Sequence, residues 1–334
     1  MTHKDGTDST ENMGSLKNKE KLIQIKNQIE RLGLSSGFNK IKEDYSFWKT
    51  QPVPDMNEES SENRPIQPSQ PRSQIHPTPL SLPTGFGWSD LDLNLDKDID
   101  DLYTLLYENY VEDDDNMFRF DYSKEFLKWA LMPPGWKSVW HCGIRVNGDG
   151  ALVGFIAATP VKMKVYDKIV EMVEINFLCV IKKYRSKKMA PVLIREITRR
   201  VNYEGIFQAM YTSGTLLPRP VSECRYWHRP LNFQKLVDVK FSSIKGNMTM
   251  KGSIKLYSLP TDKPLSTTMV RPLSKNFSPS ARKLLNDYLE KNFDIYPIFS
   301  KKDFDHWFLP RDNVINSFMV VENGTWKIAL LAVK

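Results

Sequence analysis

Cysteine is scarce in this chain: Cys142, Cys179 and Cys224 are its only three in 334 residues, and no two have CxxC spacing. An odd, scattered set of this kind excludes a disulfide framework and points to reduced thiols in a cytosolic setting. Long hydrophobic runs are also missing. No apolar stretch approaches the roughly 20 residues that a membrane-spanning helix needs. The N-terminus, Met1-Thr2-His3-Lys4-Asp5, lacks the basic start and apolar core of a secretory signal. Its second residue is threonine, so the chain is not itself a substrate for N-terminal myristoylation. Charge of one sign is not strongly dominant: the net charge is +7, enough to favour acidic partners such as ribosomes or anionic lipid without specifying one.

A length of 334 residues accommodates one large or two small domains. Residues 1–35 form a polar extension in which Leu22, Ile25, Ile29 and Leu32 recur at helical spacing before Gly33. Residues 36–84 contain the aromatic segment Tyr45-Ser46-Phe47-Trp48. They continue into a stretch rich in Pro, Ser, Glu and Gln, about 57–83, that reads as a mobile connector. The compact part begins near Phe86. Leu102, Leu105, Leu106 and Tyr110 fit one helix face, and Phe126, Trp129 and Leu131 fit a second helix closed by Pro133-Pro134-Gly135. Asn147-Gly148-Asp149-Gly150 is a turn signal joining strands at 140–146 and 152–159. Further strands are expected at 161–166, 170–180 and 206–212. An amphipathic helix is expected at 191–201, with Arg199 and Arg200 placed for its dipole.

The richest stretch is Val173–Leu193. An apolar strand ending in Phe177-Leu178-Cys179-Val180-Ile181 runs into Lys182, Lys183, Arg185, Lys187 and Lys188, and then into a helix with Pro191 near its start. Unpaired N–H groups at a helix N-terminus attract anions, so strand, basic turn and helix together suit a phosphate-bearing coenzyme. A nucleic-acid reading of the same charge lacks any aromatic platform or known motif beside it. The acidic loop Asp113-Asp114-Asp115 lacks the alternating ligands and central glycine of a calcium loop, and no metal is expected.

Glu174-Ile175-Asn176-Phe177-Leu178-Cys179, followed by Arg185-Ser186-Lys187-Lys188-Met189-Ala190-Pro191, resembles the signature of the N-myristoyltransferases (glycylpeptide N-tetradecanoyltransferases). The likeness runs from about Tyr45 to about Asn323. It implies an α/β (α+β) acetyltransferase-like (GNAT) fold, with a complete N-terminal half at 85–228 and an incomplete second, similar half at 229–334. It also implies transfer of myristate from myristoyl-CoA, a co-substrate rather than a cofactor, to the terminal glycine amine of proteins.

By the same resemblance, the backbone N–H groups of Phe177 and Leu178 form an oxyanion hole, and Asn176 and Thr212 help to move a proton. Tyr45, Ser46, Phe47 and Trp48 contact acyl-CoA. So do Phe177, Leu178, Cys179, Val180, Arg185, Ser186, Lys187, Lys188, Met189 and Ala190. The peptide is met by Tyr110, Asp113, Asp114, Asp115, Phe118, Phe120, Tyr122, Asn176, Thr212, Gly214, Tyr226 and His228. The chain is read as a cytoplasmic monomer that also meets ribosomes or membranes.

Cys179 is read as a packing residue and not a nucleophile, because buried cysteine usually packs and the family forms no acyl-enzyme. Two departures stand out. Ile181 occupies a position where the family usually has histidine. The family's glycine-rich C-terminal segment, which delivers the terminal carboxylate as base, has no counterpart before Lys334. Two outcomes are therefore expected from sequence: a transferase by descent, or a truncated form that binds acyl-CoA without turnover. A basic ribosome- or RNA-associated protein is a third reading, resting on charge alone.

Overall fold

The computed structural model describes residues 51, 53, 62–111, 117–213, 220–259, 270–320 and 331–333. The chain divides into two compact units, Met1–Met56 and Asn57–Lys334. In the first, Val53 N donates to Gln51 O at 2.8 Å.

The main sheet of the second unit is built on one long hairpin. Strands β1 (Phe86–Asp90), β2 (His141–Val146), β3 (Leu152–Val165) and β4 (Lys168–Val180) pair antiparallel in chain order, and the short β5 (Ala209–Met210) joins β4 in parallel. Gly148 and Gly150, both at positive φ, turn the chain between β2 and β3 as the Asn-Gly-Asp-Gly sequence requires. β3 is one strand, where separate strands at 152–159 and 161–166 were expected around Pro160. Val173, opposite Pro160, sends its N–H to Gln208 O at 3.1 Å, away from β3. Pro160 therefore occupies a rung at which β3 and β4 exchange no hydrogen bonds, and its missing N–H costs that ladder nothing.

Helices cover both faces. α1 (Asp96–Asn109) buries Ile99, Leu102, Leu105 and Leu106, packs on β3 and β4, and has Asp96 and Asp98 in its first turn, where the dipole favours anions. Arg145 of β2 fastens it through Asp98 at 2.8 Å and Asp101 at 2.5 Å. α2 (Lys124–Leu131) starts where the Ser123 side chain accepts Phe126 N–H at 3.2 Å. On the other face α3 (Met189–Tyr203) buries Met189, Leu193, Ile197 and Val201 against β2, β3 and β4. Each such fully buried side chain contributes about 1.5–3 kcal/mol. Arg199 and Arg200 do not simply complement the dipole of α3: both grip the fully buried Glu196, and Arg200 also reaches Asp90 of β1.

The remainder contains α4 (Phe233–Asp238), α5 (Met250–Tyr257), α6 (Ser278–Asn292) and α7 (Lys301–Phe308). β6 (Val270–Pro272), β8 (Asn316–Val320) and β9 (Leu331–Val333) make a small antiparallel sheet in the order β6-β8-β9. β7 (Ile295–Pro297) instead pairs with the end of β3, so the later segment completes the first sheet. Trp129 and His306 lock the two regions by reciprocal bonds, indole N–H to His306 O at 2.9 Å and imidazole Nε2 to Trp129 O at 2.7 Å. Residues 72–82 are not a loose connector. They are tied to α3 and β1. Among the described residues no helix is long and apolar enough to cross a membrane.

Candidate functional site

The ladder between β3 and β4 slips at one place. Asn176 faces Ala157 and Cys179 faces Phe155, so Phe177 and Leu178 together oppose the single residue Ile156. Phe177 takes up the extra residue in the left-handed region, at φ +56°. That conformation is strained for a bulky side chain, and its persistence requires surrounding structure to hold it.

That structure is an aromatic cluster. The Phe177 ring lies 5.7 Å from Tyr110 and 5.6 Å from Tyr122, edge-on to the latter. Tyr122 stacks on Phe120 at 5.6 Å and on Phe126 at 5.3 Å. Burial, with Tyr122 and Cys179 nearby, pushes the Tyr110 phenol up to about 12, and burial also raises Tyr122. Both hydroxyls stay protonated at neutral pH.

The bulge determines where backbone donors point. Ile181 N donates to Val153 O at 3.0 Å, on the β3 side, whereas Val173 N points to the β5 side. Counting the alternation from both ends, Asn176 and Cys179 direct their backbone groups at β3. The peptide unit preceding Phe177 consequently turns the Phe177 N–H away from β3, and the unit between Phe177 and Leu178 belongs to no rung of the ladder. On that outer side β5 pairs with β4 only at Val173 and Glu174. The edge of β4 from Ile175 onward is left without a paired strand among the described residues.

At the end of this edge lies a cavity of about 310 Å³ lined by Asn109, Leu178, Cys179, Val180, Arg185 and Ala190. Its floor is strand, its rim the helical turn Lys182–Lys187, and its far side the start of α3. Lys188, at φ +57°, makes the left-handed corner between turn and helix. Pro191 is within the first turn of α3, where a missing N–H breaks no helical bond. Arg185 Nε donates to Val180 O at 3.2 Å and its Nη2 to Asn109 O. The guanidinium thus braces the strand end against the end of α1. Asn109 completes the brace by accepting Lys182 N–H on its side chain at 3.2 Å. Nothing in the sequence singled out Asn109, because its role depends on α1 ending beside the basic turn.

The structure brings together many of the residues assigned by resemblance. Leu178, Cys179, Val180, Arg185 and Ala190 line the cavity, and Phe177 packs behind it. Ser186, Lys187 and Lys188 are exposed on the rim, while Met189 is in the core. Cys179 is buried, with its thiol directed to Leu105 O at 4.0 Å. Asn176 is half-buried on β4, and Thr212 is exposed just beyond β5. Phe118 meets Phe241 edge-on at 5.1 Å. Tyr226 and His228 are exposed, 6.5 Å apart, and neither lines the cavity. Tyr45, Ser46, Phe47, Trp48, Asp113, Asp114, Asp115 and Gly214 lie outside the described residues. Ile181 packs against the apolar clusters on both faces of the sheet, an apolar position well suited to isoleucine. Among the described residues no group of three or more His, Cys, Asp or Glu is arranged to hold a metal ion.

Comparison with known proteins gives a consistent result. The profile described as "Myristoyl-CoA:protein N-myristoyltransferase, N-terminal domain" matches residues 65–224, and its C-terminal-domain counterpart matches residues 238–332. The glycylpeptide N-tetradecanoyltransferase of Drosophila melanogaster is 56% identical over 83% of this chain and 58% of its own length. That of Dictyostelium discoideum is 48% identical over 93% of this chain and 74% of its own. A crystal structure of Saccharomyces cerevisiae N-myristoyltransferase with bound myristoyl-CoA superposes with a TM-score of 0.80 at 40% identity, covering 89% of this chain and 69% of that one. The chain spans about three fifths of the Drosophila and Bos taurus relatives.

Proposed function

Because this chain belongs to the N-myristoyltransferase family, we propose that it binds myristoyl-CoA along the open edge of β4 and transfers the acyl group to the N-terminal glycine amine of a protein. The observation that carries this reading is the bulge at Phe177–Leu178, which frees backbone donors beside a cavity ending in a basic, helix-capped turn. The thioester carbonyl rests against the Phe177 and Leu178 N–H groups. The phosphates meet Lys187, Lys188 and the first N–H groups of α3.

Attack by the neutral amine on the carbonyl carbon gives a tetrahedral oxyanion that the two N–H groups stabilise. Collapse breaks the C–S bond. The amine gives up a proton, the sulfur takes one up, and an amide and CoA thiol leave. Asn176 and Thr212 help to pass the proton through water, and Tyr110, Phe118, Phe120 and Tyr122 flank the peptide. Cys179 forms no acyl-enzyme.

A second reading, acyl-CoA binding without turnover, is favoured by one observation: among the described residues that line the cavity there is neither a carboxylate nor an imidazole. Two assays separate the readings. Calorimetric titration with a non-hydrolysable myristoyl-CoA analogue tests the site, and absence of binding sinks both. Release of CoA thiol in the presence of a glycine-starting peptide tests transfer, and tight binding with no thiol release leaves only the second. The basic turn has its own test. Lys188→Glu is expected to weaken acyl-CoA binding by at least about tenfold, since it reverses a charge beside the phosphates, with little change in peptide binding. Equal loss of both would refute the assignment.

A further inference from the structure

Residues 72–82 are fastened to α3 at several points. Glu196, wholly buried, accepts Leu80 N–H at 3.0 Å on one oxygen. Its other oxygen accepts from Arg199 and Arg200, each at 2.7 Å. Arg199 extends the tie by donating to His76 O at 3.0 Å. The Arg72 guanidinium lies 3.9 Å above the centre of the Tyr203 ring, at the last turn of α3. Leu80 O accepts the Trp88 indole N–H at 2.6 Å, and Leu82 packs into the same apolar cluster as α3.

The segment then runs into Phe86, whose ring meets Tyr184 edge-on at 5.3 Å. Tyr184 is the aromatic centre of the basic turn, with the ammonium groups of Lys183 and Lys187 at 5.5 and 6.0 Å from its ring. The segment thus reaches the turn by two routes, through α3 and through Phe86.

We propose that residues 72–82 are a strap that positions the coenzyme-phosphate turn. Held by Glu196 and Arg199, the strap fixes the axis of α3 and, through Phe86 and Tyr184, the basic turn that leads to Lys188. Strap closure and acyl-CoA binding therefore stabilise each other. This rests on the reading of that turn as the acyl-CoA phosphate site. Glu196, Arg199, Phe86 and Tyr184 are positioning residues and touch no substrate. Coupling of this kind is reciprocal: if the strap strengthens acyl-CoA binding, acyl-CoA must hold the strap closed by the same factor.

The test uses the full chain and its Arg199→Ala variant, which loses the His76 tie while Arg200 keeps Glu196 paired. Arg72–Ser73 is a tryptic bond within the strap, so its cleavage rate reports opening. Myristoyl-CoA is expected to slow that cleavage in the unaltered protein. Arg199→Ala is expected to raise the dissociation constant of myristoyl-CoA about tenfold, a typical coupling, and to blunt the protection. Arg199→Lys, which keeps the charge but not the fork, should fall between. If Arg199→Ala does not fold, Tyr203→Leu takes its place, since it removes the ring beneath the Arg72 guanidinium and leaves the Arg72–Ser73 bond cleavable. An unchanged dissociation constant, or cleavage indifferent to bound myristoyl-CoA, overturns the proposal while leaving the acyl-CoA site intact. Failure of the unaltered protein to bind myristoyl-CoA overturns both.

Discussion

Leu178→Pro is expected to lower the rate of CoA thiol release by about a hundred- to a thousandfold, the usual cost of deleting one oxyanion donor. Proline removes the Leu178 N–H, one of the two groups assigned to the developing charge. It also disfavours a helical-type conformation at the preceding residue, and Phe177 stands at φ +56°. Leu178→Ala is the control, because it trims the side chain at the cavity wall and keeps the donor. That variant should retain turnover within about tenfold of the unaltered protein. Acyl-CoA affinity should change far less than rate in Leu178→Pro, since a ground-state carbonyl gains less from the donor than an oxyanion does. Steady-state kinetics beside calorimetry on both variants separates the two effects. Equal turnover in the two variants would remove Leu178 N–H from the mechanism.

Glu196→Ala is expected to destabilise the fold by about 3–5 kcal/mol, because it leaves two guanidinium groups without their buried partner. In a chain of this size that corresponds to a fall in Tm of roughly 4–7 °C. Burial alone would raise the Glu196 carboxyl, but hydrogen bonds from Arg199, Arg200 and Leu80 N–H outweigh it and hold the group below the ordinary carboxylate range. A depressed folded-state pKa contributes stability that is complete above the unfolded value of about 4.3. That contribution is lost as pH falls through the lower, folded value. The unaltered protein should therefore lose stability steeply below about pH 4, and Glu196→Ala should show a shallower acid limb. Thermal unfolding followed from pH 7 to pH 3 checks both. A fall in Tm of only a degree or two at pH 7 would mean that the network contributes little.

The sequence made some of this legible for clear physical reasons. The helix face of Leu102, Leu105 and Leu106 and the Asn147–Gly150 turn are local patterns, and both formed as read. Lys188, in the basic turn that the sequence singles out, adopts the left-handed conformation that glycine tolerates best. The role given to the Phe177 and Leu178 N–H groups came from the family resemblance alone, since an unbroken apolar run reads as an ordinary paired strand.

Other features depend on long-range contacts. Pro160 reads as a strand break, yet it fits β3 because of where the opposing Val173 sends its N–H. The Pro- and Ser-rich composition of residues 72–82 suggests mobility, but the segment is tied down by a glutamate more than a hundred residues later. Arg199 and Arg200 look like dipole partners in sequence and prove to be the two sides of a buried ionic network. Asn109 gives no sequence signal, because its value arises from α1 and the basic turn meeting in space.

The most direct test of the site is the infrared stretch of the thioester carbonyl in myristoyl-CoA labelled with ¹³C at that carbon, recorded bound to the protein without peptide. Donation by the Phe177 and Leu178 N–H groups weakens the C=O bond. The band should therefore shift to lower frequency than in water, and most of that shift should vanish in Leu178→Pro. A band at or above its frequency in water, with the coenzyme fully bound, would contradict the assignment of the bulge to the thioester carbonyl.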